Sequence, residues 1–475
     1  MIETAPRDYA VLGWLVAAAF VVILNETIMM NAIPRLMVDL SINETSAQWL
    51  STAFMLTMAV VIPITGWFLQ RVTTRQAFAL AMTTFCTGTL LAAVSWSFPV
   101  LIVARVVQAS ATAMMMPLLM TTLMSIVAAG DRGRVMGLVS LAMSVAPALG
   151  PAVSGIVLQF LSWRWIFLVV LPIAVTIGVV GTRRIRNVGE PNSTPVDWLS
   201  ALFAALGFGA LVYGLSDIRS PHVIAVVVTL AVGVLGVTAF VMRQLVLQRV
   251  DRPLLDLRTF RSRVFSISIA AMAIAFGAMM GSMILLQLYL QHARGASPLV
   301  TGLLVMPGGL AMGLLGPTIG RIYDRYGARV LMLPGGSLVV LAMVVFATVG
   351  GTTPYAIVLI AHVGLSLGLA SLFTPMFTMS LGSLPPHQYS HGSSLLGTTQ
   401  QVAGAFGTAL VVVVLTSRAA QLTARGMDGQ AAYLDGVRWA FGLCVVLAVA
   451  MVGLVTALPA RVAAVAQEEL VDAHV

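Results

Sequence analysis

Glu26 is an acid inside Ala10–Pro34, a stretch long and apolar enough to cross a bilayer, and no other residue between Val11 and Ile33 is ionisable. A carboxylate in hydrocarbon is costly, so such a group normally faces a bundle interior or a water-filled path. Away from bulk water its neutral form is favoured. It is therefore equipped to load a proton from one side and release it when water or a cation approaches. Arg105 is the one arginine deep inside an apolar run, and a guanidinium stays charged. It serves either as a fixed charge that biases Glu26 or as a clamp on backbone carbonyls. Arg105, Gln108 and Thr112 share a helical face by i, i+3 and i+7 spacing, and Met115 and Met116 continue near it. Asn25, Met29 and Met30 lie close to Glu26 in sequence. Methionine's flexible thioether suits a cavity that takes varied apolar ligands, although most of the 27 methionines read as helix packing.

Gln287, Tyr289, His362, Gln400 and Gln401 are polar groups in later apolar runs. Each is a candidate for substrate contact or for internal hydrogen bonding, and His362 adds a titratable imidazole. His387 and His391 read as loop residues. The sequence offers no phosphate-binding glycine loop, metal cluster or nucleophile–base set. The expectation is therefore not an enzyme, with no cofactor and no metal. Cys86 and Cys444 fall in separate apolar runs and read as small hydrophobes rather than a disulfide.

These residues need a membrane scaffold to position them. The chain is 59% hydrophobic and 9% charged, with a mean hydropathy of +0.98; a soluble domain is about a quarter charged. About twenty apolar residues span the hydrocarbon core, and lipid demands helices there. That ruler predicts an all-α polytopic protein with fourteen spans, roughly 10–34, 46–70, 76–96, 98–127, 134–158, 162–182, 197–216, 221–247, 264–291, 298–321, 328–350, 354–382, 393–417 and 437–459. The first run is too long for a cleaved leader and reads as the first span. All 26 basic residues are arginine. Eighteen fall in loops or ends on the side of the termini, seven on the other side, and Arg105 within a span. The bias predicts cytoplasmic termini and argues for topology rather than nucleic-acid binding.

The halves echo each other. GWFLQRVTTR (Gly66–Arg75) follows the second span and GRIYDRYGAR (Gly320–Arg329) the tenth. The reading is a six-helix bundle over 1–190, an inserted hairpin over 191–250, and a second six-helix bundle with a tail over 251–475, an internal repeat of the transporter kind.

With LNETIMMNAIP (Leu24–Pro34), RVVQAS (Arg105–Ser110), PALGPAVSG (Pro147–Gly155), WRWIF (Trp163–Phe167) and GSSLLGTTQQVAGAFGTA (Gly392–Ala409) in order, the chain resembles the major facilitator superfamily. More narrowly it resembles the fourteen-helix drug:proton antiporter branch, in its lincomycin and multidrug exporter-like subgroup. The resemblance implies proton-coupled efflux of lipophilic drugs or antibiotics by alternating access, with Glu26 and Arg105 in proton coupling. It implies a multi-pass bacterial cell-membrane protein, working as a monomer among lipid, with protons and a small lipophilic substrate as partners and no nucleic acid. Two departures stand out. Many relatives carry Asp at the position of Asn25, and the first loop copy has Gln70 and Thr73 where Asp and Gly are common; Asp324 and Gly327 keep the usual types. Gating roles are expected for Gln70, Arg71, Arg75, Asp324, Arg325 and Arg329 as a latch. Gly137, Pro147, Gly150, Pro151 and Gly155 are expected to shape a closely packed, bent fifth helix. The alternatives are a dedicated single-metabolite transporter of the same fold and a non-transporting membrane sensor.

Overall fold

The computed structural model describes residues 8–42, 44–188, 197–218 and 222–461. These residues form fourteen α-helices and no strand. They are α1 (Asp8–Asp39), α2 (Glu44–Arg71), α3 (Thr74–Ala93), α4 (Phe98–Ile126), α5 (Arg132–Phe160), α6 (Arg164–Arg184), α7 (Trp198–Ser216), α8 (Val223–Leu247), α9 (Arg263–Leu288), α10 (Pro298–Tyr326), α11 (Arg329–Ala347), α12 (Tyr355–Gly382), α13 (Tyr389–Ala424) and α14 (Gly429–Thr456). Thirteen carry a described stretch long and apolar enough to cross a membrane; α5 is not among these, though it runs unbroken for 29 residues. At 1.5 Å per residue the shortest helices, of 19 residues, reach about 29 Å, close to the hydrocarbon thickness. The 36-residue α13 is far longer and extends past it. Both cysteines are free.

Taken as two groups, α1–α6 and α9–α14 make most of their contacts within the group, but α5 and α10 pack more on each other than on any other helix, and the groups meet also through α2 on α13, α4 on α13 and α5 on α12. One apolar core runs through both groups, with Phe78, Phe85 and Phe167 contributed by the first and Phe265, Phe346 and Phe441 by the second. The seam between the groups is closed at the end carrying the arginine-rich loops. There Thr121 and Ser393 hydroxyls lie 3.0 Å apart, Ser140 and Thr374 hydroxyls 3.0 Å, and Arg132 donates to the Tyr389 hydroxyl at 3.3 Å. Glycines permit the closest approach of α5 to α10. A Cβ at Gly316 would sit 2.6 Å from the Gly137 carbonyl, and one at Gly320 would collide with the Gly133 carbonyl. Toward their other ends the two helices part: a Cβ at Gly155 or Gly302 meets nothing within 4 Å, and Ile156, Phe160 and Leu303 are exposed.

The α7–α8 hairpin lies along the α2–α13 side of the seam. Tyr213 stacks on Trp49 of α2 with centroids 5.6 Å apart, and Val212 packs between Ala59 of α2 and Ala405 of α13. Its base is pinned by polar bonds. Arg243 donates to both Asp197 oxygens at 2.6 and 2.7 Å, and buried Gln244 accepts from Leu254 and Leu255 backbone amides while donating to Ser200. The bonded Arg243 guanidinium holds the Asp197 carboxyl down at about 2. A depressed folded value adds stability that is present above the ordinary carboxylate value near 4 and is lost as pH falls toward about 2. We expect Asp197→Asn to melt below wild type by the equivalent of about 1 kcal/mol at pH 6, discounted for partial exposure. Differential scanning fluorimetry should show that gap closing between about pH 4 and 2.

Candidate functional site

Glu26 lies deep in the bundle on α1 yet keeps part of its surface accessible. The next residue fixes the orientation of α1 here. The Thr27 hydroxyl bonds back to the Leu24 carbonyl at 3.0 Å and fits against Gly150 of α5, where a Cβ would strike it. Met29 is buried, and the side chain of Met30 lies outside the described residues. Asn25 is fully buried with neither amide atom hydrogen-bonded. An unpaired buried amide is costly, which marks this turn of α1 as a place where packing does not satisfy every polar group.

Arg105 of α4 is 2% exposed. Its Nε donates to the Leu50 carbonyl of α2 at 3.3 Å, one terminal nitrogen donates to Gln108 at 3.1 Å, and its guanidinium lies 4.3 Å from the centroid of the Phe54 ring. Gln108, fully buried, passes the chain on to the Thr89 hydroxyl of α3 at 3.1 Å. That reach exists because Gly88 lets α3 press on α4; a Cβ there would be 2.8 Å from the Gln108 nitrogen. Thr112 spends its hydroxyl on the Gln108 carbonyl at 3.0 Å. Among the described residues Arg105 and Glu26 form no contact ion pair, but each acts on the other through its charge. The arrangement sets one carboxyl near one guanidinium, and the guanidinium stays charged.

The arginine-rich end holds a second constellation. Asp324, on the last turn of α10, accepts from the Gly133 and Arg134 backbone amides at 2.8 and 2.7 Å. These are first-turn amides of α5, where a helix carries positive partial charge and unpaired donors. Gln70 does the matching job from α2 with opposite polarity, donating to the His387 carbonyl at 2.9 Å. A carboxylate could not make that bond. Arg71 lies over the Trp67 ring, and Arg325 over the Tyr326 ring with its carbonyl held by Arg461. Arg75 is exposed, its amide bonded to Asn187, and Arg329 is exposed at the start of α11. Pro147 is half-buried and the side chain of Pro151 lies outside the described residues.

The remaining candidates scatter. Met115 is buried and Met116 partly so within the core. Gln287 is exposed, whereas Tyr289 is fully buried and donates to the Gly350 carbonyl within the second group. His362 packs against Gly308 of α10 with Nδ1 unpartnered, and Gln400 and Gln401 are half-buried on α13. His391 departs from the loop expectation: it is in the first turn of α13 and 4% exposed, its ring against Gly66 of α2. Sequence reasoning did not single out Phe54, Thr89, Gly133 or Gly316. Phe54 and Thr89 look like ordinary span residues, and only the repeated Gly at the head of both loop copies hinted that backbones meet there.

A family model for the Major Facilitator Superfamily matches residues 15–408. The chain is 36% identical to the uncharacterized MFS-type transporter YcnB of Bacillus subtilis over 94% of each chain. It is 33% identical to the lincomycin resistance protein LmrB of Listeria monocytogenes, over 93% of this chain and 95% of that one. The multidrug resistance protein B homolog of Mycobacterium tuberculosis is 30% identical, over 85% and 75%. Among solved structures, the human organic anion transporter MFSD10 (TETRAN) superposes with a TM-score of 0.65 at 14% identity, covering 95% of this chain and all of that one.

Proposed function

Because the chain belongs to the major facilitator superfamily, we propose that it is a proton-coupled efflux antiporter for lipophilic drugs or antibiotics, with Glu26 as proton carrier and Arg105 as the fixed charge that tunes it. The observation that carries this is the pairing of a deep, partly accessible carboxylate with a buried guanidinium, in a chain a third identical to a lincomycin resistance protein. The two six-helix groups are the rocking units. With the termini in the cytoplasm, the closed arginine-rich end faces the cytoplasm and the parted ends of α5 and α10 face outward. Glu26 then takes its proton from outside and drug leaves on the same side. Protonation favours return to the inward-open form, where the proton is released and drug enters from the cytoplasm or inner leaflet. Asp324 and Gln70 latch the closed side, and the protein works as a monomer in the bacterial cell membrane.

Everted vesicles containing the protein test breadth and direction together. Energised vesicles should accumulate ethidium and lincomycin, and chemically unrelated lipophilic compounds should compete. Accumulation of a single compound with no competition would favour a dedicated transporter, and no accumulation of any compound would favour a sensor.

A further inference from the structure

Leu50, Phe54, Met58, Ile62, Gly66 and Gln70 recur every four residues along α2. Each four-residue step on a 3.6-residue helix advances about 40°, so this ridge winds round the helix from the α4 side to the α13 side. At its first end Arg105 holds the Leu50 carbonyl and covers the Phe54 ring. Phe54, Met58 and Ile62 then pack with Ala109 and Ala113 of α4. At its other end Ile62 meets Gly397, Gly66 meets Ser394 and His391, and Gln70 donates to His387. One helix thus runs from the buried charge to the closed seam.

We propose that Phe54 is a positioning residue for Arg105, and that α2, gripped there, carries the charge state of Glu26 to its contact with α13. The inference rests on the proton-carrier role given to Glu26 above. Arg105 is subject to competing claims. Glu26 on α1 is the one charged group acting on it among the described residues. Against that stand a carbonyl and a ring face from α2, and Gln108 of its own helix, which Thr89 of α3 anchors. Gln108 ties Arg105 back to α3 and α4, and α4 meets α13 directly at Thr121. Phe54 and Leu50 add a route through α2, whose far end meets α13 at Gly66 and Gln70, and only that route depends on the Phe54 ring. The Leu50 contact is backbone and survives substitution. The Phe54 ring is the part that mutation can remove, and a cation over a desolvated ring is a strong enough hold to compete with a nearby charge.

The test uses the seam itself as reporter. Thr121→Cys with Ser393→Cys, in a chain whose Cys86 and Cys444 are replaced by alanine, places two thiols where hydroxyls now lie 3.0 Å apart. With Phe54 present, Glu26→Gln should change the disulfide-formation rate by about fivefold or more. With Phe54→Leu that change should collapse, and Phe54→Tyr should restore it; Phe54→Met replaces Phe54→Leu if the latter fails to fold by size-exclusion profile. An unchanged response to Glu26→Gln in folded Phe54→Leu protein would overturn the proposal. No response even with Phe54 present would overturn it too. Uphill export measured on the Glu26→Gln protein separates the two layers: export lost with the response intact without Phe54 sinks only the α2 link, whereas export retained sinks the carrier role beneath it.

Discussion

Glu26→Gln should reduce export driven by a pH gradient to the level of empty liposomes. Glutamine keeps the shape and polarity of the neutral side chain and removes its ability to ionise. The effect is total rather than partial because Glu26 is the one acid acting on Arg105 among the described residues. Thermal stability should hold or rise in the same protein. A poorly solvated acid costs free energy to bury, while Arg105 keeps Leu50, Gln108 and the Phe54 ring. A variant that both melted early and lost export would instead indicate a structural acid. Glu26→Asp should retain gradient-driven export at a reduced rate, since the carboxyl survives on a side chain one methylene shorter.

Gly320→Val should have the second largest effect, by a different route. The closed seam brings backbone onto backbone at Gly133 and Gly320, and the Gly133 carbonyl has no flexible side-chain end to swing away. Overpacking of this kind costs about 3 kcal/mol, which is about a hundredfold in the population of the closed form. The same displacement pulls Asp324 off the Gly133 and Arg134 amides. Gradient-driven export should fall by about two orders of magnitude, and a cysteine at Ser393 should become reactive to a membrane-impermeant thiol reagent added from the arginine-rich side. Gly453→Ala, on exposed α14 surface away from the seam, is the matched control. Its Cβ meets nothing within 4 Å, so export should be unchanged.

Much of this was legible in the chain. Apolar runs of about twenty residues foretold the helices, because lipid leaves the backbone no other partner. Glu26 and Arg105 stood out because an ionisable group in such a run is expensive. What the sequence concealed is how the two groups of helices meet. His391 reads as a loop residue just ahead of the span expected over 393–417. It is helical and buried because the seam there is a contact between bundles rather than with lipid. Gln70 looked like a lost acid, yet its amide donates to a carbonyl that no acid could serve while ionised. Phe54 carried no signal at all, since a phenylalanine in a span is ordinary until a guanidinium is found over it. Tyr289 pointed the other way: a polar group in an apolar run, it is spent on the Gly350 carbonyl and Arg294.

The central claim is that drug and proton move in opposite directions through one carrier. Purified protein in liposomes holding a trapped pH dye tests it most directly, with an ethidium gradient imposed and no pre-set pH difference. The account predicts that ethidium leaving the lumen drives protons into it, with luminal acidification that depends on drug and is absent with Glu26→Gln. Ethidium flux with no change in luminal pH, or flux that follows an imposed sodium gradient instead, would contradict it.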